Sequence, residues 1–158
     1  MKIAIGIATV LIIVLGLEAL LDLILGKLPE FQGQPLSALR LLGWLTYPFT
    51  VLLGLRPEEW GIASQILGSR FIETEVSAYF SLAALQATDA AFTMRSMTIM
   101  TYALCGFVHI SSMGIFIGGL SALVPSRANE ISIVGLQALW TSFLATLLTG
   151  CIAGSLVI

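Results

Sequence analysis

Hydrophobic positions dominate the chain so heavily that its punctuation is more informative than its periodicity. Residues 1–25 form a nearly unbroken apolar run after Lys2. The run is close to the roughly 20 residues that a spanning helix needs, and no small-x-small cleavage pattern ends it, so it predicts a membrane helix that is retained. Glu18 and Asp22, four apart, share one face near its end, which suits a contact with partner helices or with headgroup water. A polar link, "GKLPEFQGQP", separates this run from residues 36–55, where Arg40, Trp44, Tyr47 and Pro48 interrupt the apolar pattern. Interleaved Trp, Tyr and Arg predict a helix lying in the membrane interface.

Residues 56–86 read differently. Pro57 followed by Glu58 and Glu59 signals a helix start, "GSR" at Gly68–Arg70 a stop, and a second short helix is expected from about Thr74 to Gln86. Each piece, at roughly 12 residues, is too short to cross about 30 Å of hydrocarbon. Two half-length helices meeting at a polar tip make a re-entrant hairpin, tolerated at membrane depth only against protein or a water-filled cavity. Residues 93–124, expected to be a broken spanning helix, and 131–158 are the remaining spans, separated at "VPSRANE". Gly114 with Gly118, and Gly150 with Gly154, are small-residue pairs four apart that permit close helix contact.

Composition narrows the function classes. Of the 158 residues 58% are hydrophobic and only 10% charged, against about a quarter charged in soluble domains, so the chain is an integral membrane protein. A net charge of −2 with scattered Lys and Arg leaves no footprint for nucleic acid. Cys105 and Cys151 lie far from any second ligand at metal spacing and are expected to be packing residues. An enzyme is not indicated: a lone His, buried serines and two acids come without a nucleophile elbow or a metal-binding pair.

The span at residues 93–124 carries polar side chains at Thr98, Thr101, Cys105, His109 and Ser112, spaced 3, 4, 4 and 3 residues apart. On a continuous helix from about Arg95 to Leu123 this is one stripe, which must face either helices that satisfy it or a solvated substrate cavity. In the hairpin, Glu73 fits a hydrated tip beside Arg70, while Glu75 lies deeper. A buried carboxylate there needs a cation, a proton or a polar ligand such as a sugar hydroxyl.

Several separated motifs resemble the concentrative nucleoside transporters. "TYALCGFVHISSMGIFIGGLSALVPSRANEISIVGLQAL", residues 101–139, is similar to that family's C-terminal segment of the type ALCGFANxSSIGI followed by GGLxxLxPxRxxEIxxLGLxAL. "LGSRFIETEVSAY" resembles its hairpin signature LGTKxxxNEFVAY, and "LLGWLTYPFTVLLGL" its preceding interfacial helix. The resemblance implies an all-α membrane protein of about three spanning helices, an interfacial helix and a re-entrant hairpin, one half of that transporter fold.

It also implies the C-terminal substrate-binding half of a cation-coupled nucleoside symporter in the plasma (inner) membrane. Glu75 matches a glutamate that accepts hydrogen bonds from ribose, Ser112 a serine that contacts the sugar, and Phe107 an aromatic near the nucleobase. His109 stands where the family has a ribose-binding asparagine, and Thr74 replaces the asparagine before the glutamate. The family's other hairpin, which supplies the sodium site, has no counterpart here. No cofactor is expected on this chain, and the coupling cation, sodium or proton, is expected outside it. The implied partners are a nucleoside, the lipid bilayer, the missing N-terminal half and, in the complete assembly, further copies. The competing reading is a small structural or gate-like membrane protein of the same fold that moves no solute.

Overall fold

The computed structural model describes residues 2–27, 29, 35–88, 92–106 and 108–157, and the elements found among them are helical. In chain order they are α1 (Lys2–Leu25), α2 (Ala38–Leu52), α3 (Trp60–Ser69), α4 (Glu75–Gln86), α5 (Met94–Ala103), α6 (Ile110–Leu123) and α7 (Ala128–Leu156). Short 3-10 turns at Pro57–Glu59 and Pro125–Arg127 lead into α3 and α7. With 10 and 12 residues, α3 and α4 are about 15 and 18 Å long, half of a membrane's hydrocarbon thickness. By length and composition, one helix among the described residues, Pro125–Leu156, can cross a membrane.

Local chemistry sets the helix ends. Ser37 caps α2 by accepting the Arg40 N–H at 3.2 Å, and Asp22 of α1 reaches over to accept the Ala38 N–H at 2.6 Å. One member of the acidic pair of α1 therefore serves as a cap for the next helix, supplying an acceptor to a donor that has no partner within its own helix. Beyond α2 the chain turns at Gly54, whose φ of +72° is the left-handed conformation that glycine adopts without a steric cost.

Packing then depends on small residues. The α2–α3 crossing is so close that a Cβ added to Gly68 would lie 2.7 Å from the Leu42 carbonyl carbon and 2.8 Å from Gly43 N. At the same crossing Thr46 Oγ1 donates to Ser64 O at 2.6 Å. Where α5 meets α7, Cβ atoms at Gly150 and Gly154 would fall 3.0 and 2.3 Å from atoms of Ala103 and Ile99. This glycine pair does permit close helix contact. The other makes no such contact among the described residues: a Cβ at Gly114 or Gly118 meets nothing within 4 Å, and it is Gly135 of α7 that accommodates Ile117 of α6. The core centres on Phe143 of α7, whose ring lies 5.2 Å from Phe49, 5.0 Å from Phe71 and 5.5 Å from Trp140. Large apolar side chains such as Ile12, Phe116 and Leu148 stand exposed on α1, α6 and α7.

Two expectations need correction. Residues 95–123 are two half-helices, α5 and α6, and not one continuous helix, so a face drawn by spacing alone does not extend across them. The last helix begins at Ala128, earlier than residue 131. Pro125 opens the preceding turn, a position where its missing N–H costs nothing, and Arg127 and Glu130 close an ion pair at 2.6 Å in the first turn.

The crossing at Gly68 makes a direct test. Gly68→Ala should lower stability by roughly 1–3 kcal/mol, because backbone cannot yield as a side chain can. Gly114→Ala, pointing into open space within α6, should not lower the unfolding midpoint of the detergent-solubilised chain. Equal midpoints for the two variants would contradict the packing described.

Candidate functional site

The site is built where the tip between α3 and α4 meets the end of α5 and the start of α6. Thr74 has extended backbone (φ −74°, ψ 158°) and caps α4, its Oγ1 accepting the Ser77 N–H at 3.4 Å. Glu75 is consequently the first helical residue, where a carboxylate is favourably placed against the helix dipole. Asn and Thr are both N-cap residues, so Thr74 preserves the local geometry expected of an asparagine there.

On the other side, His109 caps α6 from extended backbone (φ −125°, ψ 149°). Its Nδ1 accepts the Ser112 N–H at 3.1 Å, and Ser112 Oγ donates back to His109 O at 2.7 Å. An Nδ1 that accepts carries no proton, which assigns the neutral ring's hydrogen to Nε2. Nε2 lies 3.6 Å from Glu75 Oε2, too far for a direct hydrogen bond and close enough for one atom of a ligand to engage both. His109 and Ser112 are buried and Glu75 is partly open. The hydroxyl of Ser111, also buried, has no hydrogen-bond partner among the described residues.

What holds these two caps together is backbone accounting. The last four carbonyls of α5 lie where the helix's own ladder runs out, yet each is satisfied. Met100 O accepts from Leu104 N–H at 2.8 Å, Thr101 O from the Tyr79 hydroxyl at 2.9 Å, Tyr102 O from Cys105 N–H at 3.2 Å, and Ala103 O from Arg70 Nη1. Arg70 Nη2 also donates to Gly106 O at 2.8 Å, and Nη1 to Thr146 Oγ1 at 3.1 Å. At the start of α6, the Ile110 N–H donates to Phe71 O of the tip at 2.9 Å.

The other end of α5 is held in the same manner. The buried Glu59 carboxylate accepts from Thr93 N–H at 3.0 Å and Ser96 Oγ at 2.5 Å, besides Arg56 N–H at 3.1 Å. An acid at the N-terminus and a guanidinium at the C-terminus both complement the dipole of α5.

Of the residues singled out in the sequence, Glu75, His109 and Ser112 are brought together. Phe107 lies outside the described residues. Thr98 and Thr101 return their hydroxyls to Met94 O and Met97 O of their own helix, so neither needs a cavity or a partner helix. Cys105 is exposed, contrary to a packing role, whereas Cys151 is partly buried against the core. Arg70, expected at a hydrated tip, is 1% exposed. A separate cavity of about 510 Å³ between α6 and α7 has Ser112, Arg127 and Glu130 among its lining, and does not include Glu75 or His109.

Comparison with known proteins places this arrangement in context. The sequence profile of the Na+ dependent nucleoside transporter C-terminus matches residues 1–154. An uncharacterised transporter of Haemophilus influenzae is 34% identical over 98% of the chain, and sodium/nucleoside cotransporter 1 of Rattus norvegicus is 33% identical over 85%. The matches cover 38% and 22% of those relatives, so the chain spans well under half of their length. Among solved structures, a CNTnw variant in an intermediate state superposes with a TM-score of 0.89 at 28% identity, over 99% of this chain and 39% of that one. CNTnw in an inward-facing substrate-bound state gives 0.78 at 29% identity, over 97% of this chain and 36% of that one.

The double duty of His109 separates two kinds of substitution. His109→Asn, which can still cap α6, should hold the unfolding midpoint of the detergent-solubilised chain near that of the parent, while His109→Leu should cost about 0.5–2 kcal/mol, the usual range for a lost cap. A midpoint for the Leu variant as high as that for Asn would rule out the capping role.

Proposed function

This chain belongs to the Na+ dependent nucleoside transporter family, as its C-terminal domain, and from that premise we propose that it forms the ribose-facing side of a nucleoside site within a cation-coupled symporter. It is a membrane transporter domain and not an enzyme. The observation that carries the reading is the pairing of Glu75 and His109 across 3.6 Å, an acceptor and a donor brought close without bonding. A ribose hydroxyl placed between them donates to the carboxylate and accepts from Nε2–H, and a vicinal diol can extend the contact to a second oxygen. Ser112 supports the arrangement by fixing the imidazole, its N–H held on Nδ1. Phe107 is proposed to face the nucleobase.

Half-helix termini meeting at a ligand are a recurrent transporter device, because they aim backbone dipoles at a site without exposing unpaired backbone to lipid. Two helices begin here, α4 beside Glu75 and α6 beside His109, and that convergence supports the same reading. The coupling cation, sodium or proton, is assigned to a site outside this chain, on the N-terminal portion that completes the transporter. The complete assembly is proposed to be a homo-oligomer, multi-pass in the plasma (inner) membrane, with residues 1–25 and α7 (Ala128–Leu156) spanning, 36–55 interfacial, 56–86 re-entrant and 93–124 a broken span.

Binding measured by calorimetry on the assembled transporter tests the site. Glu75→Gln should weaken nucleoside affinity by about 1.5–3 kcal/mol for each hydrogen bond to the charged acceptor, and the loss should shrink for nucleosides lacking the 2′- and 3′-hydroxyls. Unchanged affinity would remove Glu75 from the site. Reconstituted by itself, the chain should insert into vesicles without driving sodium-dependent nucleoside accumulation. Concentrative uptake by the chain alone would place the coupling site within these residues.

A further inference from the structure

The junction of α5 and α6 holds a charge that sugar recognition does not use. Arg70 is 1% exposed, and its guanidinium is met by Ala103 O, by Gly106 O at 2.8 Å and by Thr146 Oγ1 at 3.1 Å. These three oxygens are neutral and come from two different parts of the fold. No carboxylate among the described residues stands within ion-pair distance of Arg70. Carbonyls at the C-terminal end of a half-helix, joined by a hydroxyl from a neighbouring helix, make up the chemistry with which transporters hold a monovalent cation, since the dipole is negative at that end and lipid offers no competing water.

We propose that Arg70 is a tethered cation, a side chain that permanently fills a monovalent-cation site formed by Ala103 O, Gly106 O and Thr146 Oγ1, and that it thereby positions His109 opposite Glu75. The positioning follows from the chain path. The residue after Arg70 is Phe71, whose carbonyl accepts the Ile110 N–H, so the tip grips the end of α5 through the guanidinium and the start of α6 through its backbone. His109 is the residue before Ile110 and has little freedom once both grips are in place. A covalently attached charge keeps this geometry at any sodium concentration. The junction is therefore a fixed element of the domain, and a coupling ion acts elsewhere. The functional consequence rests on the reading of Glu75 and His109 as a ligand site, whereas the cage itself does not.

The experiment compares the purified full chain with Arg70→Lys and Arg70→Met, the second keeping length and bulk while removing charge. Thermal unfolding is followed in detergent at fixed ionic strength in choline chloride, in sodium chloride and with millimolar guanidinium. The parent should show the same midpoint in sodium and choline. Arg70→Lys should retain most of the stability, and Arg70→Met should be lower in choline and recover part of the loss with sodium or guanidinium. If Arg70→Met does not fold in choline, the yield of folded protein is read instead, and recovery by either cation supports the cage. A Met variant as stable as the Lys variant, or one indifferent to which cation is present in midpoint or yield, would overturn the proposal. No nucleoside enters the readout, so failure here leaves the recognition reading standing, and failure of recognition leaves the cage standing.

Discussion

A helix interrupted inside an apolar medium leaves carbonyl groups that water cannot reach, and the rest of this structure depends on how those carbonyls are satisfied. Backbone N–H groups and the Tyr79 hydroxyl serve the earlier ones, and Arg70 serves Ala103 and Gly106. Burying a guanidinium is costly where charges are rarely tolerated, and it persists here because carbonyl dipoles and the Thr146 hydroxyl replace the lost hydration. At the opposite end of α5, Glu59 performs the complementary task with Thr93 and Ser96. The two charges flank α3, so α3 and α5 run in the same direction, start beside start and end beside end. A ten-residue helix with little intrinsic stability of its own is thereby held at both termini by its neighbour.

The candidate site inherits its precision from this frame. Glu75 and His109 each occupy a helix-start position, one as the first residue of α4 and the other as the cap of α6, so their side chains are oriented by backbone and not by loop packing. His109 illustrates how a single residue serves structure and chemistry together. One ring nitrogen closes the first turn of α6, and that commitment leaves the other as a donor facing a carboxylate. An asparagine at this place can cap and donate as well, which explains how the substitution is accommodated without rearranging the helix start.

Much of this was legible in the sequence, for identifiable reasons. Pro57 with two following acids marks the entry to α3, and "GSR" marks its end within a residue of Ser69, because start and stop signals act locally. Glu75, His109 and Ser112 could be brought together by motif resemblance, and their proximity follows. Periodicity failed where it presupposed a continuous helix: of the five-residue polar stripe, Thr98 and Thr101 lie on α5, Cys105 and His109 in the link and Ser112 on α6, and the two threonines bond to their own helix. Gly114 and Gly118 have the same spacing as Gly150 and Gly154 but no contact at their surface among the described residues, since spacing says nothing about which face is covered. Arg70 and Glu59 looked like charges at a hydrated tip and a helix start. Their burial depends on Thr146, Gly106 and Ser96, up to 76 residues away in the chain, and no local pattern reports such contacts.

In the function proposed above, the tip of the hairpin and the start of α6 jointly hold a ribose. Cryo-electron microscopy of the assembled transporter with a bound nucleoside tests it most directly, at a resolution that places the sugar oxygens. A ribose hydroxyl oxygen should then lie within about 3.2 Å of both a Glu75 carboxylate oxygen and His109 Nε2. A sugar lying elsewhere, with Glu75 and His109 joined directly to one another in the occupied site, would contradict it.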